Sequence, residues 1–260
     1  MGLISVNVEW LFTEAGPRTA DRIRAAAAAG CTAVEFWGWR DKDLDAIGAA
    51  LRETGVRLLT VIVDPPSDLA DRSTHERYLE GVRDSLAVAE RLGSPFLVAL
   101  AGQEIDGVPE PEQRAAVVDA LKAASAVLET AGTAVTLLLE PLNTRVDHPG
   151  ALVHSTRDGL DIVDAVGSPR LRLLLDVYHA LMMGEDLAAE VGSDGALIGH
   201  VQVADLPGRH EPGTGEVDWD SVLRTVRGLG YAGPFGMEYV PTTGSAVSLD
   251  HIRDVVDRLR

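Results

Sequence analysis

Short apolar runs recur eight times along the 260-residue chain, at about 3–8, 33–37, 56–63, 95–101, 134–141, 171–178, 198–204 and 234–240. Each is followed by a stretch of helical pattern, at about 18–29, 42–53, 74–92, 109–131, 156–166, 186–192, 218–229 and 247–259. This alternation restricts the available folds more than any other property of the chain. An apolar run of a few residues bounded by turn residues reads as a strand buried on both faces. Strands joined through helices pair in parallel, because a parallel neighbour needs a long crossover. The fourth helical stretch is the clearest: Val117, Val118, Leu121, Ala124, Leu128 and Ala131 form one stripe. Pro109 and Pro111 suit its start and Gly132 its end.

An eight-stranded parallel sheet either closes or stays open. The open, doubly wound form usually carries a phosphate-binding glycine turn after its first strand. Here the first strand leads into NVEWLFTEAG, with no GxGxxG, and GKS or GKT occurs nowhere. The length suits a closed barrel, commonly about 250 residues, and no linker or low-complexity tract divides it. The expected fold is therefore α/β: one (β/α)8 TIM barrel spanning residues 1–260 as a single domain.

Catalytic groups of this fold come from the C-terminal ends of the strands and the loops after them. Four polar side chains meet that condition: Glu140 in TLLLEP, Asp176 in LRLLLDVYH, Gln202 in GHVQVAD and Glu238 in FGMEYV. They fall on strands five to eight, at spacings of 36, 26 and 36 residues, one βα unit each. A carboxylate within an apolar run is costly unless it is paired or holds a cation. Three carboxylates and an amide converging on one point make an all-oxygen shell, suited to one divalent ion such as Mn²⁺ or Mg²⁺.

The net charge of −17 argues against DNA or RNA as a partner, since nucleic-acid binders need a basic face. A single cysteine, Cys31, excludes an intramolecular disulfide and a cysteine-based metal cluster. The N-terminus lacks a basic region and meets Glu9 early, unlike a signal peptide. No apolar run reaches the roughly 18 residues of a membrane span, so a cytoplasmic protein without membrane contact is expected. The two lysines, Lys42 beside Asp41 and Asp43 and Lys122 within a helical pattern, are expected to be solvated, which disfavours Schiff-base chemistry.

The segments NVEWLFTE, AVEFW, LLEPLNTRVDHPG, LLDVYH, HVQVADLPGRHEPGTGEVDW and GMEYVP resemble the sugar isomerase/epimerase barrels of the xylose-isomerase-like superfamily. Within it the likeness is greatest to hydroxypyruvate isomerases. That resemblance implies that Glu140, Asp176, Gln202 and Glu238 bind one metal, with Glu140 and Glu238 also acting as acid and base. It further implies that His179 and Arg209 hold substrate oxygens; His210 and Glu35 join them as candidate substrate-binding residues. Trp10, Phe12, Trp37 and Trp39 are expected at the pocket mouth, and Glu216 and Asp218 in ordering a loop and capping a helix. His75, His148, His154 and His251 read as surface or core. Homo-oligomers are usual in resembling barrels.

The chemistry fits those roles. Interconverting a hydroxy aldehyde and a keto alcohol requires removing a proton beside a carbonyl, through an enediolate that a metal stabilises. Two carboxylates supply acid and base, and an arginine fork suits a substrate carboxylate. The expected activity is thus isomerisation of hydroxypyruvate to tartronate semialdehyde, or of a related keto acid or sugar. A ketose 3-epimerase, a keto-inositol isomerase, a metal-dependent lyase or dehydratase, and a non-catalytic sugar-binding barrel are the alternatives. The third strand departs from the hydroxypyruvate isomerase pattern, reading TVIVDPPSDLADRS where an Asn and a Gly-rich segment are expected. Xylose isomerases proper use two metals and a lysine two residues after the strand-five glutamate, where this chain has Leu142.

Overall fold

The computed structural model describes residues 4–259, so Leu3, expected to open the first strand, lies outside the described residues. Eight parallel strands close into a barrel in sequence order: β1 Ile4–Asn7, β2 Ala33–Glu35, β3 Arg57–Ile62, β4 Phe96–Ala99, β5 Thr136–Leu139, β6 Leu171–Asp176, β7 Ile198–Val203 and β8 Phe235–Met237. β8 returns to pair with β1, so no sheet edge remains open. The expected fold is what forms.

The helices are α1 Thr19–Ala28, α2 Leu44–Thr54, α3 His75–Leu92, α4 Glu110–Ala131, α5 Thr156–Val166, α6 Val177–Met183, α7 Leu187–Val191, α8 Trp219–Gly228, α9 Ser245–Ser248 and α10 Asp250–Arg258. α4 buries Val117, Leu121, Ala124 and Leu128, while Ala131 is left exposed at its end. Full burial of each Val or Leu contributes roughly 1.5–3 kcal/mol. Gly132 ends the helix at φ 66°, a conformation that glycine adopts without a Cβ penalty. Asp218 caps α8 as expected, accepting from the Ser221 amide.

The strands end one to three residues earlier than expected, and two differences bear on the site. The sixth strand stops at Asp176, whose Oδ1 accepts from the Tyr178 amide at 2.8 Å and so starts α6. Tyr178 and His179 therefore sit on a helical turn, not at a strand end. The last helical stretch is also divided, into α9 and α10.

The core lies mainly between barrel and helices. A smaller cluster, Val98, Leu138 and Leu174, is joined by Ile62, Phe96 and Leu100. The strand register brings Asp176 opposite Gln202, and Gln202 opposite Gly236, so β6, β7 and β8 present one row.

Candidate active site at the strand ends

A cavity of about 370 Å³ opens among the loops that follow the strands, and Glu140, Gln202, Glu238, His179 and Arg209 all line it. Glu140 and Glu238 each come one residue after a strand, Gln202 lies within β7, and Asp176 ends β6. Asp176 touches the same cluster from behind: Arg209 Nη2 donates to its Oδ2 at 3.2 Å and to Glu238 Oε2 at 2.7 Å.

The two glutamates differ sharply. Glu238 is held on all sides, accepting on Oε1 from Asn7 Nδ2 at 2.6 Å and Trp37 Nε1 at 2.9 Å. Among the described residues nothing hydrogen-bonds to the Glu140 carboxylate; His179 Nε2 lies 3.9 Å from its Oε1. Burial, then repulsion from Glu238 and Asp176, pushes the Glu140 carboxyl well above its ordinary range. Burial raises Asp176 and Glu238 as well, while Arg209 pulls both back.

Arg209 sits at a left-handed φ of 56°, between the rings of Trp10 and Tyr178, whose centroids lie 4.8 and 4.7 Å from its guanidinium carbon. Such stacking favours a desolvated guanidinium. Burial opposes its charge, but Glu238, Asp176 and Glu140 more than restore it. The loop that carries it is tied to Asp205, which accepts from the Gly213, Gly215 and Val217 amides and from Trp219 Nε1. Glu211, two residues beyond Arg209, accepts from the Thr242 amide and hydroxyl.

His179 has a defined tautomer. Its Nδ1 faces two donors, the Asn143 amide at 3.3 Å and Asn143 Nδ2 at 2.6 Å. Asn143 Oδ1 is engaged by the Val146 and Asp147 amides, which fixes the side-chain orientation. Nδ1 must therefore accept, and Nε2 carries the proton. Nε2 lies 3.5 Å from Asp176 Oδ2. Burial first, then the Arg209 and His148 charges, push the imidazole down to about 2, so it is neutral.

Gln202 is the most telling residue. Its Nε2 donates to Glu35 Oε2 at 3.0 Å and lies 3.4 Å from Glu238 Oε1. Its Oε1 is buried and has no partner among the described residues. A buried amide oxygen beside three crowded carboxylates, with one guanidinium for compensation, is a strong oxygen-donor set for a divalent cation. A second grouping, Glu140, Asp176 and His179, has ligand atoms within 4.8 Å of one another and could also hold an ion. The His179 tautomer argues against that second set, because a protonated Nε2 cannot ligate.

Three expectations are corrected. Glu35 does not line the cavity: it is fully buried beneath Gln202, accepting from Ser5, Thr60 and Gln202 and facing His200 Nε2 at 2.9 Å. Burial raises its pKa, but His200, Ser5 and Gln202 together bring it below the ordinary value. Gly236 makes this packing possible, since a Cβ there would lie 2.5 Å from Glu35 Oε1. His210 is turned to the backbone, with Nδ1 2.8 Å from the Val240 carbonyl oxygen, and lies outside the cavity lining. Of the four aromatic residues placed at the mouth, Trp10 and Trp37 line it. Phe12 is buried, its backbone amide donating to Ser245 Oγ, and Trp39 Nε1 donates to Ser85 Oγ instead. Two residues were missed: His148, which lines the cavity, and Asn143, which sets His179. Asn143 carried one signal, its place three residues after the strand-five glutamate in EPLN.

A closed parallel barrel with polar side chains gathered at the C-terminal ends of its strands is the architecture of a TIM-barrel enzyme. The family described as xylose isomerase-like TIM barrel matches residues 23–255, and the chain belongs to that family. It is 31% identical over 265 residues to the 2-oxo-tetronate isomerase of Cupriavidus necator, covering 99% of this chain and 100% of the relative. It is 30% identical over 253 residues to the hydroxypyruvate isomerase of Escherichia coli, covering 94% and 96%. A solved structure described as an AP endonuclease, family 2, from Brucella melitensis superposes with a TM-score of 0.88 at 28% identity, covering 98% and 99%. The chain is an isomerase-type enzyme. Among the described residues no helix is long and apolar enough to cross a membrane.

Proposed function

We propose that the protein interconverts a 3-hydroxy-2-oxo acid and its 2-hydroxy-3-oxo isomer, of the hydroxypyruvate or 2-oxo-tetronate type, by proton transfer through an enediolate. The observation that carries this is the contrast between a free, charge-crowded Glu140 and a fully held Glu238 around the unpartnered Gln202 oxygen. Glu140, Asp176, Gln202 and Glu238 would hold one divalent cation, Mn²⁺ or Mg²⁺ by donor chemistry. When bound, the cation supplies Lewis-acid stabilisation of the charge that develops as the proton leaves.

Glu140, free of hydrogen bonds, is the carboxylate best placed to move between acid and base forms. Glu238, fixed by Asn7, Trp37 and Arg209, faces the substrate as its partner. His179 Nε2–H donates to a developing oxyanion, and its neutrality keeps it from protonating the carboxylates. Arg209 offers positive charge to a substrate carboxylate from its aromatic sandwich. With Leu142 where a lysine would be needed, a hydride-shift route lacks support. An endonuclease role is disfavoured by the charge of −17 and by Gln202 in place of a histidine ligand.

The test is turnover of hydroxypyruvate and 2-oxo-tetronate before and after chelation by EDTA, with Mn²⁺ or Mg²⁺ then restored. Activity should vanish and return; full activity after rigorous chelation would contradict the metal assignment.

A further inference from the structure

The reacting groups gather on one side of the cavity. The opposite wall is built from Ile62 at the end of β3, Pro66 in the loop beyond, Val98 and Leu100 at the end of β4, and Leu142. Ile62, Leu100 and Leu142 are only partly buried and Pro66 is exposed, so apolar surface faces the cavity. Several polar atoms nearby are already engaged, although the His148 imidazole also lines the cavity. Thr60 Oγ1 donates to Glu35 at 3.2 Å. Asp64 Oδ2 accepts from the Trp39 and Arg40 amides at 2.9 and 3.0 Å. Trp37 Nε1 is committed to Glu238.

The cavity, about 370 Å³, falls in the range of roughly 300–1,000 Å³ that buries drug-sized ligands. A three-carbon acid fills only part of it. A polyhydroxylated chain in the remainder would set hydroxyls against aliphatic carbon, each losing its water partner for roughly a 5- to 150-fold loss in binding. A methylene in the same place gains about fourfold.

We propose that the preferred substrate carries an alkyl or aryl substituent on its hydroxyl-bearing carbon, seated against this aliphatic wall. This rests on the isomerase reading given above. The reaction is R–CH(OH)–CO–COO⁻ to R–CO–CH(OH)–COO⁻. The C–H bond at C3 breaks, a C–H bond forms at C2, and the hydroxyl proton passes from O3 to O2. No oxidant or reductant is needed.

The experiment follows isomerisation by proton NMR in D₂O, with the full chain and Mn²⁺, across four acids differing in R: hydrogen, hydroxymethyl, ethyl and propyl. The expected result is a rise in kcat/KM of about fourfold per methylene, with ethyl exceeding hydroxymethyl by tenfold or more. Ile62→Thr and Leu100→Thr, measured separately, should each lower the ethyl-to-hydroxymethyl ratio. Equal or better turnover of the hydroxymethyl acid by the wild-type protein overturns the proposal, whatever the variants do. If hydroxypyruvate reacts and the alkyl acids do not, the apolar substituent is wrong and the isomerase reading stands. If none of the four exchanges or isomerises, the isomerase reading falls and the proposal with it.

Discussion

Replacing Glu35 by Gln tests how the site is held from below. The glutamate is fully buried, accepts on Oε1 from Ser5 and on Oε2 from Thr60 and Gln202, and has His200 at 2.9 Å. Glutamine keeps the shape but exchanges one acceptor oxygen for an amide with two donors. Placed toward Gln202, that amide meets another donor, and Gln202 can satisfy it only by turning over. Its nitrogen then replaces its oxygen at the cavity. Breaking a buried charged pair costs up to about 3–5 kcal/mol, but the amide needs less desolvation and the two hydroxyls can rotate. A net loss of about 1–3 kcal/mol follows, or a fall in Tm of roughly 3–10 °C for a domain of this size. Loss of the partner that orients a ligand typically weakens metal binding about 10- to 100-fold. Calorimetric titration of the metal-free protein with Mn²⁺ reads the second effect, and thermal melts read the first. An Mn²⁺ affinity within twofold of wild type, with Tm unchanged, would refute the role given to Glu35. Gly236→Ala should act on the same cluster, since its Cβ would lie 2.5 Å from Glu35 Oε1 and 2.9 Å from His200 Nε2.

Other outcomes are expected from the same geometry. Glu140→Gln and Glu238→Gln should each lower kcat by roughly 10²–10⁴-fold with an unchanged circular dichroism spectrum; near-wild-type kcat in either would remove that residue from the proton path. Asn143→Ala removes the shorter of the two donors to His179 Nδ1 and leaves the backbone amide at 3.3 Å, so nitrogen NMR should show a mixed tautomer and kcat should drop about tenfold, whereas a single Nε2–H tautomer in the variant would deny the Asn143 side chain its part. Without metal, stability should fall as pH rises above about 4.5. Glu140 is raised in the fold, so its contribution is complete below its ordinary value of 4.5 and is lost as pH climbs through the folded value. Asp176 and Glu238 share that sign, while Glu35 has the opposite one, losing its contribution as pH falls. Glu140→Gln should flatten the upper limb, and a melt series unaffected by that change would show that the carboxylate is not strained by its neighbours.

The barrel and its catalytic end were legible because each strand is a run of apolar residues in which one polar side chain stands out. Period alone located Glu140, Asp176, Gln202 and Glu238, and all four cluster in the structure. What it could not give was depth. Glu35 ends a strand as Glu140 follows one, yet its register against Asn7 and Thr60 places it below the cavity floor. The sequence of α6 hid behind its neighbour, since LLLDVYHALMM is mostly apolar and only the capping Asp176 divides strand from helix. Asn143 and His148 lie in a loop, where no periodicity marks a side chain as inward. Arg209 was expected at the substrate, but its seat between Trp10 and Tyr178 depends on a loop conformation that Asp205 organises from afar.

The account turns on whether a carboxylate carries the proton between two carbons of a hydroxy-keto acid. The most direct measurement is the isomerisation of hydroxypyruvate in D₂O with Mn²⁺ present, read by the deuterium content at C2 of the product. Proton transfer through a solvent-exchanging glutamate predicts deuterium at that carbon, lost together with turnover in Glu140→Gln. Product formed at full rate with protium alone at C2, or formed equally by Glu140→Gln, would contradict it.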